Sequence, residues 1–258
     1  MAGTLRKRDR QQAILAELHA SPSIRISELA QRFDVVTETI RRDLDELSEQ
    51  GLLSRTYGGA AGPPLDLEPS LDDRYRTKVD QRSAIARAVP SLLRNGDTIM
   101  IDAGATTIYV ARRLAAELKN LTVITTSFGV ASALAVNPSI RVIVCPGEFD
   151  VGDGGVGGPD TLAYLRKFNP TYAIIGASRV DANGPSDENS MSAWNKRVMI
   201  ERAEAVILVA DHSKFEQAAL EHVCALDELD YLVTDGSPSA QFAAALKKAE
   251  VGVKVAEV

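Results

Sequence analysis

The sequence predicts an α/β protein in two parts: an N-terminal winged helix-turn-helix, then a larger α/β domain with a mainly parallel sheet. Three observations carry this. Helical patterns and a short basic hairpin fill residues 1–57. The stretch 58–76, GGAAGPPLDLEPSLDDRYR, is rich in Gly, Pro and Asp with weak periodicity and reads as a linker. From 77 to 258, short apolar runs alternate with longer helical patterns, as buried strands joined by helices do.

In the first part, residues 8–20 place Ile14, Leu15 and Leu18 on one face, and SPS at 21–23 ends that pattern. Residues 26–33 carry Ile26, Leu29, Ala30 and Phe33 as an apolar stripe. Ser27 and Glu28 sit near its start, where acceptors and negative charge are favoured. A tight turn at 34–36 leads to a third helix from Thr37 to about Gln50, with Gly51 in the C-cap position. Ile40, Leu44 and Leu47 recur at spacings of four and three, so one stripe can be buried while Arg41 and Arg42 leave from the other side. Two helices joined by such a turn make a helix-turn-helix, whose second helix enters the major groove. LLSRTYGG supplies strand-like residues and a turn, hence a wing.

In the second part, the apolar runs are 98–101, 121–124, 141–144, 172–175, 205–209, 231–233 and 251–255. Helical stretches at 108–118, 130–136, 160–168 and 240–248 lie between them, and SAWNKRVM at 192–199 reads as a further helix. The glycine-rich DVGDGGVGGPD after Gly147 reads as a loop, with a flexible lid as the alternative.

Composition narrows the function. The net charge of −6 on 258 residues argues against a uniformly basic nucleic-acid binder, but it is unevenly placed. Residues 1–60 hold nine Lys/Arg and nine Asp/Glu, so the whole excess of acid lies beyond them. A small DNA module needs only a local positive face. Two cysteines, Cys145 and Cys224, and three histidines lack zinc-ligand spacing. No metal or cofactor is expected, and lone thiols suit a reduced, cytoplasmic setting. No apolar run approaches the roughly 18 residues of a membrane span.

Arg guanidinium matches paired acceptors on phosphates and guanine edges. Thr37, Glu38, Thr39 and Arg41 are therefore expected at the groove-facing start of the third helix, with Arg42 on phosphate. Arg55 and Tyr57 in the wing would meet the backbone or the minor groove. The blander alternative is a solvated face in which Arg41 pairs with Asp45 at i,i+4.

IDAGATT at 101–107 is a strand, a Gly-containing turn and a helix start, which presents free backbone amides and a positive dipole end to an anion. Asp102, Gly104, Ala105, Thr106 and Thr107 form this loop; the alternative is a tight turn with capping threonines. Thr125, Thr126 and Ser127 end the next strand at the edge where open parallel sheets bind ligands. Asp211 and Lys214 in DHSKF follow another strand. There, Lys can neutralise a phosphate and Asp can accept sugar hydroxyls, although a surface ion pair explains them as well. Gly147, Ser178, Asp181, Asn195 and Lys196 complete the candidates. The sole tryptophan, Trp194, is expected in the core or an interface.

TETIRRDL, GLLSRTYGGA, IDAGATT, TTS and DHSKF, in this order, resemble the DeoR family of bacterial sugar-responsive transcriptional regulators over nearly the full length. The resemblance implies a C-terminal domain similar to the ribose-5-phosphate isomerase fold, with the IDAGATT loop as anchor of a phosphorylated sugar. Some positions depart from the family pattern. Val36 stands where Ser usually caps the recognition helix, a loss worth about 1 kcal/mol, and capping by Thr37 instead would shift the helix start by one residue. Ala105, Thr126 and Ser192 replace a hydroxyl residue, Asn and Glu. The resemblance implies no enzyme but a repressor of a sugar or polyol catabolic operon, acting on duplex operator DNA as a homodimer or homotetramer. A phosphorylated sugar or polyol would release it. An activator of the same architecture is the alternative. A sugar-phosphate isomerase would need an acid–base pair beside the phosphate loop, and Asp153, Asp181 and Glu188 do not form one there.

Overall fold

A computed structural model describes residues 7–20, 23–49, 53–56, 58–61 and 77–257. The chain divides into two units, residues 1–69 and 70–258.

In the first unit, helices α1 (Lys7–Ala20), α2 (Ile26–Arg32) and α3 (Thr37–Glu49) pool their stripes. Ile14, Leu18, Leu29, Ile40, Leu44 and Leu47 form the buried core. Arg10 donates to Asp43 at 2.5 Å inside it, joining α1 to α3. The α2–α3 turn is set by Asp34 at φ 50, a left-handed conformation that Asp tolerates. The Phe33 and Val35 amides fold back onto the Leu29 and Ala30 carbonyls at 3.0 Å each. Helix α3 starts at Thr37, without the one-residue shift that capping by Thr37 would bring. The Val36 carbonyl accepts from the Thr39 amide at 2.9 Å, and the exposed Val36 side chain offers no acceptor.

Strands β1 (Ser23–Arg25), β2 (Ser54–Thr56) and β3 (Gly59–Ala61) make an antiparallel sheet in the order β1-β3-β2. The wing therefore runs past residue 57 into the stretch read as linker; residues 62–76 of that stretch lie outside the described residues. At Gly59 any Cβ would overlap the Ile24 carbonyl oxygen, so the close approach of β3 to β1 requires glycine. Strand β1 had no sequence signal, since three residues are too few to show alternation.

The second unit is built on a seven-stranded sheet. Its strands are β4 (Thr98–Ile101), β5 (Thr122–Thr125), β6 (Arg141–Val144), β9 (Tyr172–Ile175), β12 (Ala205–Val209), β14 (Tyr231–Thr234) and β15 (Gly252–Val255). They lie in the order β15-β14-β12-β9-β4-β5-β6, every pair parallel. Alternate residues feed two cores, as strands covered on both faces require. Ile99, Ile101 and Val123 pack with α4 (Val79–Ala88), α5 (Ala105–Glu117) and α6 (Phe128–Leu134). Met100, Ile124 and Leu208 pack with α7 (Pro159–Leu165), α8 (Ser190–Arg202) and α9 (Ala240–Lys248). The free thiols of Cys145 and Cys224 are buried in this second core. Burial pushes both up to about 12.

Two additions lie outside the main sheet. The glycine-rich stretch is not a plain loop: β7 (Glu148–Asp150) and β8 (Gly155–Gly157) pair as a hairpin, and β8 is buried. Strands β10 (Arg179–Asp181), β11 (Gly184–Asp187) and β13 (Glu221–His222) form a small antiparallel sheet. Among the described residues no helix is long and apolar enough to cross a membrane.

Candidate functional site

Helix α3 presents Thr37, Glu38, Arg41 and Arg42 to solvent, while Thr39 is half-buried. Glu38 gathers both arginines, Arg41 at 3.4 Å and Arg42 at 3.8 Å. The Arg41–Asp45 pair of the blander alternative is not the one formed: Asp45 takes Arg55 of the wing at 3.3 Å. Exposed pairs of this kind contribute little stability, so either guanidinium can exchange its carboxylate for a stronger polyanion. Tyr57 lies outside the described residues.

In the second unit, the C-terminal ends of parallel strands bring separate segments to one sheet edge. Asp102 follows β4, Thr126 follows β5, Gly176 follows β9 and Asp211 follows β12. Helix α5 starts there from Gly104, which has no side chain to cap the amides of Ala105, Thr106 and Thr107. Most hydroxyls at this edge are already used. Thr107 donates to the Asp102 and Gly104 carbonyls at 3.1 and 2.9 Å. Thr125 donates to the Ile101 carbonyl at 2.7 Å, and Ser127 caps α6 by accepting from the Val130 amide at 3.2 Å. Thr106 stands half-buried in the first turn of α5.

Beneath this edge lies a buried charge cluster. Lys196 of α8 meets Asp187 at 2.5 Å, Ser192 Oγ at 2.6 Å and Asp102 at 3.1 Å. Those three acceptors account for its three donors, so Lys196 organises the floor and holds no donor in reserve for a ligand. Burial alone would lower its pKa, but the carboxylates of Asp187 and Asp102 more than reverse this and hold it above the ordinary lysine value. Asp102 goes the other way: burial raises it to about 6, against the pull of Lys196 and the Gly176 amide. Asp187 also accepts from Ser178 Oγ at 2.8 Å. Ser192, in the place of the family's Glu, thus serves as an acceptor for Lys196.

Besides Thr234 Oγ1 at the end of β14, three buried atoms at this edge have no hydrogen-bond partner among the described residues: Asp102 Oδ1, Thr126 Oγ1 and Asn195 Oδ1. The β7–β8 hairpin closes over them. The Val156 amide donates to the Thr126 carbonyl at 2.8 Å, and Asn195 Nδ2 donates to the Val156 carbonyl at 2.8 Å. Gly155 packs so tightly that a Cβ there would come within 2.6 Å of Ala103 Cβ. Gly147 is equally constrained, because its Cβ would overlap Thr161 Oγ1, whose hydroxyl donates to the Pro146 carbonyl at 2.6 Å. Asn189 pins the hairpin from α8's cap, donating to Asp150 and Asp153 at 3.1 Å each. The half-open space between Ala103, Asp153, Gly155, Ser192 and Asn195 measures about 10 Å³.

Asp211 is buried at the end of β12, where it accepts from the Ser213 amide at 3.2 Å and from Lys78 Nζ at 2.9 Å. Burial works to raise its pKa, but these bonds and the nearby lysines hold it below the ordinary carboxylate value. Lys214 is half-buried beside it. Asp181 stands apart from the cluster: its carboxylate binds the Asn183 amide at 2.8 Å and closes the β10–β11 turn, at the opposite end of that hairpin from Ser178 and Asp187. Trp194 is not in the core; it is half-exposed with the Arg197 guanidinium 4.8 Å from its ring centre. Sequence reasoning missed Asp187, Asn189 and Lys78. The fully buried run Gly184–Asp187, polar at Ser186 and Asp187, was the available signal for the first.

Residues 10–63 match the family described as DeoR-like helix-turn-helix domain, and residues 77–236 match the DeoR C terminal sensor domain. The chain is 34% identical over 235 residues to the glycerol-3-phosphate regulon repressor of Escherichia coli (strain K12), covering 91% of this chain and 93% of the relative. It is 32% identical over 230 residues to the transcriptional repressor AccR of Agrobacterium fabrum (strain C58 / ATCC 33970), covering 88% of this chain and 89% of the relative. Among solved structures, ribose 5 phosphate isomerase A from Neisseria gonorrhoeae is similar at 18% identity over 52% of each chain, with a TM-score of 0.40.

Proposed function

We propose, from the premise that the chain belongs to the DeoR family of DNA-binding transcriptional regulators and is not an enzyme, that it represses a sugar or polyol catabolic operon until a phosphorylated sugar or polyol enters the sheet-edge cleft. The observation that carries the effector reading is the meeting of uncapped α5 amides with three orphaned buried atoms. The amides and dipole of a helix start suit a phosphate. Asp102 Oδ1 and Asn195 Oδ1 only accept, so the rest of the ligand must bring donors, as hydroxyls do and a carboxylate does not. Thr106 and Thr126 supply hydroxyls that can turn either way. Asp211 and Lys214 follow β12, two strands from β4 along the same sheet edge, and would meet the far part of the ligand.

The space between the hairpin and α8 is about the size of one water, so a sugar reaches Asn195 only if the β7–β8 hairpin or the start of α8 gives way. That requirement makes occupancy a change of conformation, which a repressor needs in order to respond. On the DNA side, Thr37, Glu38, Thr39 and Arg41 of α3 face the bases, Arg42 meets phosphate, and Arg55 and Tyr57 of the wing meet the backbone or the minor groove. The protein works as a homodimer or homotetramer, since paired heads reading one DNA face stand about 34 Å, or a multiple of it, apart.

Fluorescence anisotropy of the purified protein on its own upstream region tests this. Operator affinity should fall by about 5–150-fold on adding one of glycerol 3-phosphate, ribose 5-phosphate or another sugar phosphate, and much less with inorganic phosphate or with a phosphorylated acid. Equal affinity for random duplex at moderate salt would refute the operator reading. A thermal shift with the phosphorylated acid alone would refute the hydroxyl reading.

A further inference from the structure

Lys78 stands next to the first described residue of the second unit, Thr77, where the chain arrives from residues 62–76. Its backbone is left-handed, with φ 51. It occupies the N-cap of α4 without making a side-chain cap bond. A long side chain in that conformation persists only where surrounding contacts hold it. Here the ammonium does the holding: it reaches Asp211 Oδ1 at 2.9 Å and Ser213 Oγ, both 133 or more residues away in sequence. The Arg82 guanidinium of α4 donates to the neighbouring carbonyl of Thr77, and the Arg82 backbone amide donates to the Lys78 carbonyl at 3.1 Å.

The partner of Lys78 is no ordinary surface acid. Asp211 ends β12 at the proposed effector edge, is buried, and caps the short turn His212–Lys214. A ligand hydroxyl that donates to Asp211, or a ligand anion that attracts the Lys78 ammonium, competes with this pair for the same atoms.

We propose that Lys78 is a positioning residue: paired with Asp211 it holds the start of α4 in the operator-competent conformation, and effector entering the cleft releases it. The proposal rests on the sheet edge being the effector cleft, but the ligand-free state tests it separately. Without the pair, the segment 77–79 relaxes from its left-handed turn, and the chain leading from the DNA-binding unit loses its fixed point. Effector occupancy and loss of Lys78 then have the same consequence.

The test measures operator affinity of the full-length protein without ligand, by anisotropy on the upstream region, for Lys78→Met, Lys78→Gly, Lys78→Arg and Asp211→Asn. Lys78→Gly adopts a left-handed turn without strain, so it keeps the fold while removing the ammonium, and thermal unfolding checks this. The expected result is a loss of about tenfold for Met and Asn, a smaller loss for Gly because its backbone keeps the turn without the ammonium, rescue by Arg, and a Lys78→Met/Asp211→Asn double variant no weaker than either alone. Ligand-free affinity within twofold of wild type in Lys78→Met and Asp211→Asn overturns the proposal, as do fully additive losses. If the pair behaves as expected but no sugar phosphate weakens operator binding, the positioning role stands and the effector reading fails.

Discussion

Lys196 and Asp187 meet at 2.5 Å in an interior where both side chains are almost wholly enclosed, and Asp102 completes the group from the other side of the lysine at 3.1 Å. The cluster joins α8, β11 and the end of β4, three segments far apart in the chain. It turns the floor of the cleft into a single electrostatic unit.

Lys196→Met should therefore destabilise the second unit by about 3–5 kcal/mol, the usual cost of leaving a buried charge without its partner. Denaturant unfolding followed by the fluorescence of Trp194, the chain's only tryptophan, reads the effect on the helix that carries both residues. A loss below about 1 kcal/mol would mean that water or a counter-ion reaches the carboxylates.

The same cluster gives a pH signature. Asp102 is raised from 3.8 to about 6, so the folded state keeps its proton over a range where the unfolded chain has lost it. Stability from this carboxyl falls as pH rises through that window. Asp211, lowered instead, contributes stability above its unfolded value and loses it as pH falls, with the opposite sign. Comparing wild type with Asp102→Asn cancels the Asp211 contribution. The stability difference, wild type minus variant, should decline from pH 4 to pH 7; a flat difference would place Asp102 in ordinary ionisation.

Arg41→Ala and Arg42→Ala should part company on DNA. Loss of a base-reading Arg41 costs about 1–3 kcal/mol on the operator and relaxes sequence preference, while loss of a phosphate-binding Arg42 weakens all duplexes alike and lowers the salt slope by about 1. Neither should change thermal unfolding, because both side chains are exposed. Identical behaviour of the two variants would overturn the assignment along α3.

At the wing, Gly59→Ala should unfold the DNA-binding unit or lower its stability by about 1–3 kcal/mol, because the methyl collides with the Ile24 carbonyl. The second unit should keep its own transition. Val36→Ser should do the reverse in the same unit, adding about 1 kcal/mol by supplying the missing cap acceptor. Calorimetry that resolves two transitions checks both.

The helix-turn-helix was legible because the stripes of α1 to α3 keep helical spacing and bury together, and Ile40, Leu44 and Leu47 each went where periodicity put them. The five inner parallel strands were legible because each is a short apolar run covered on both faces, whereas β6 and β15, partly exposed at the sheet's margins, were legible by apolar composition alone. The β7–β8 hairpin was not: Glu148–Asp150 and Gly155–Gly157 are too short and glycine-rich to signal strands, and β8 is held by backbone contact with Thr126 and by the single buried side chain of Val156. In the cleft, sequence placed Asp102, the Gly104–Thr107 turn and Thr125–Ser127 at the right strand ends. It misjudged the use of Lys196, because saturation of an ammonium by two carboxylates and a serine is a tertiary fact. It could not find Lys78, whose importance comes from a residue 133 positions away.

The two sealed thiols have a practical corollary. Only the thiolate attacks an alkylating reagent, and both cysteines are held near 12 and covered. Reagent consumption by the native protein thus becomes a clock for opening motions. Cys145 borders the edge strand β6 and Cys224 borders the strip ending in β13, so the order in which the two are tagged tells which margin of the molecule parts first.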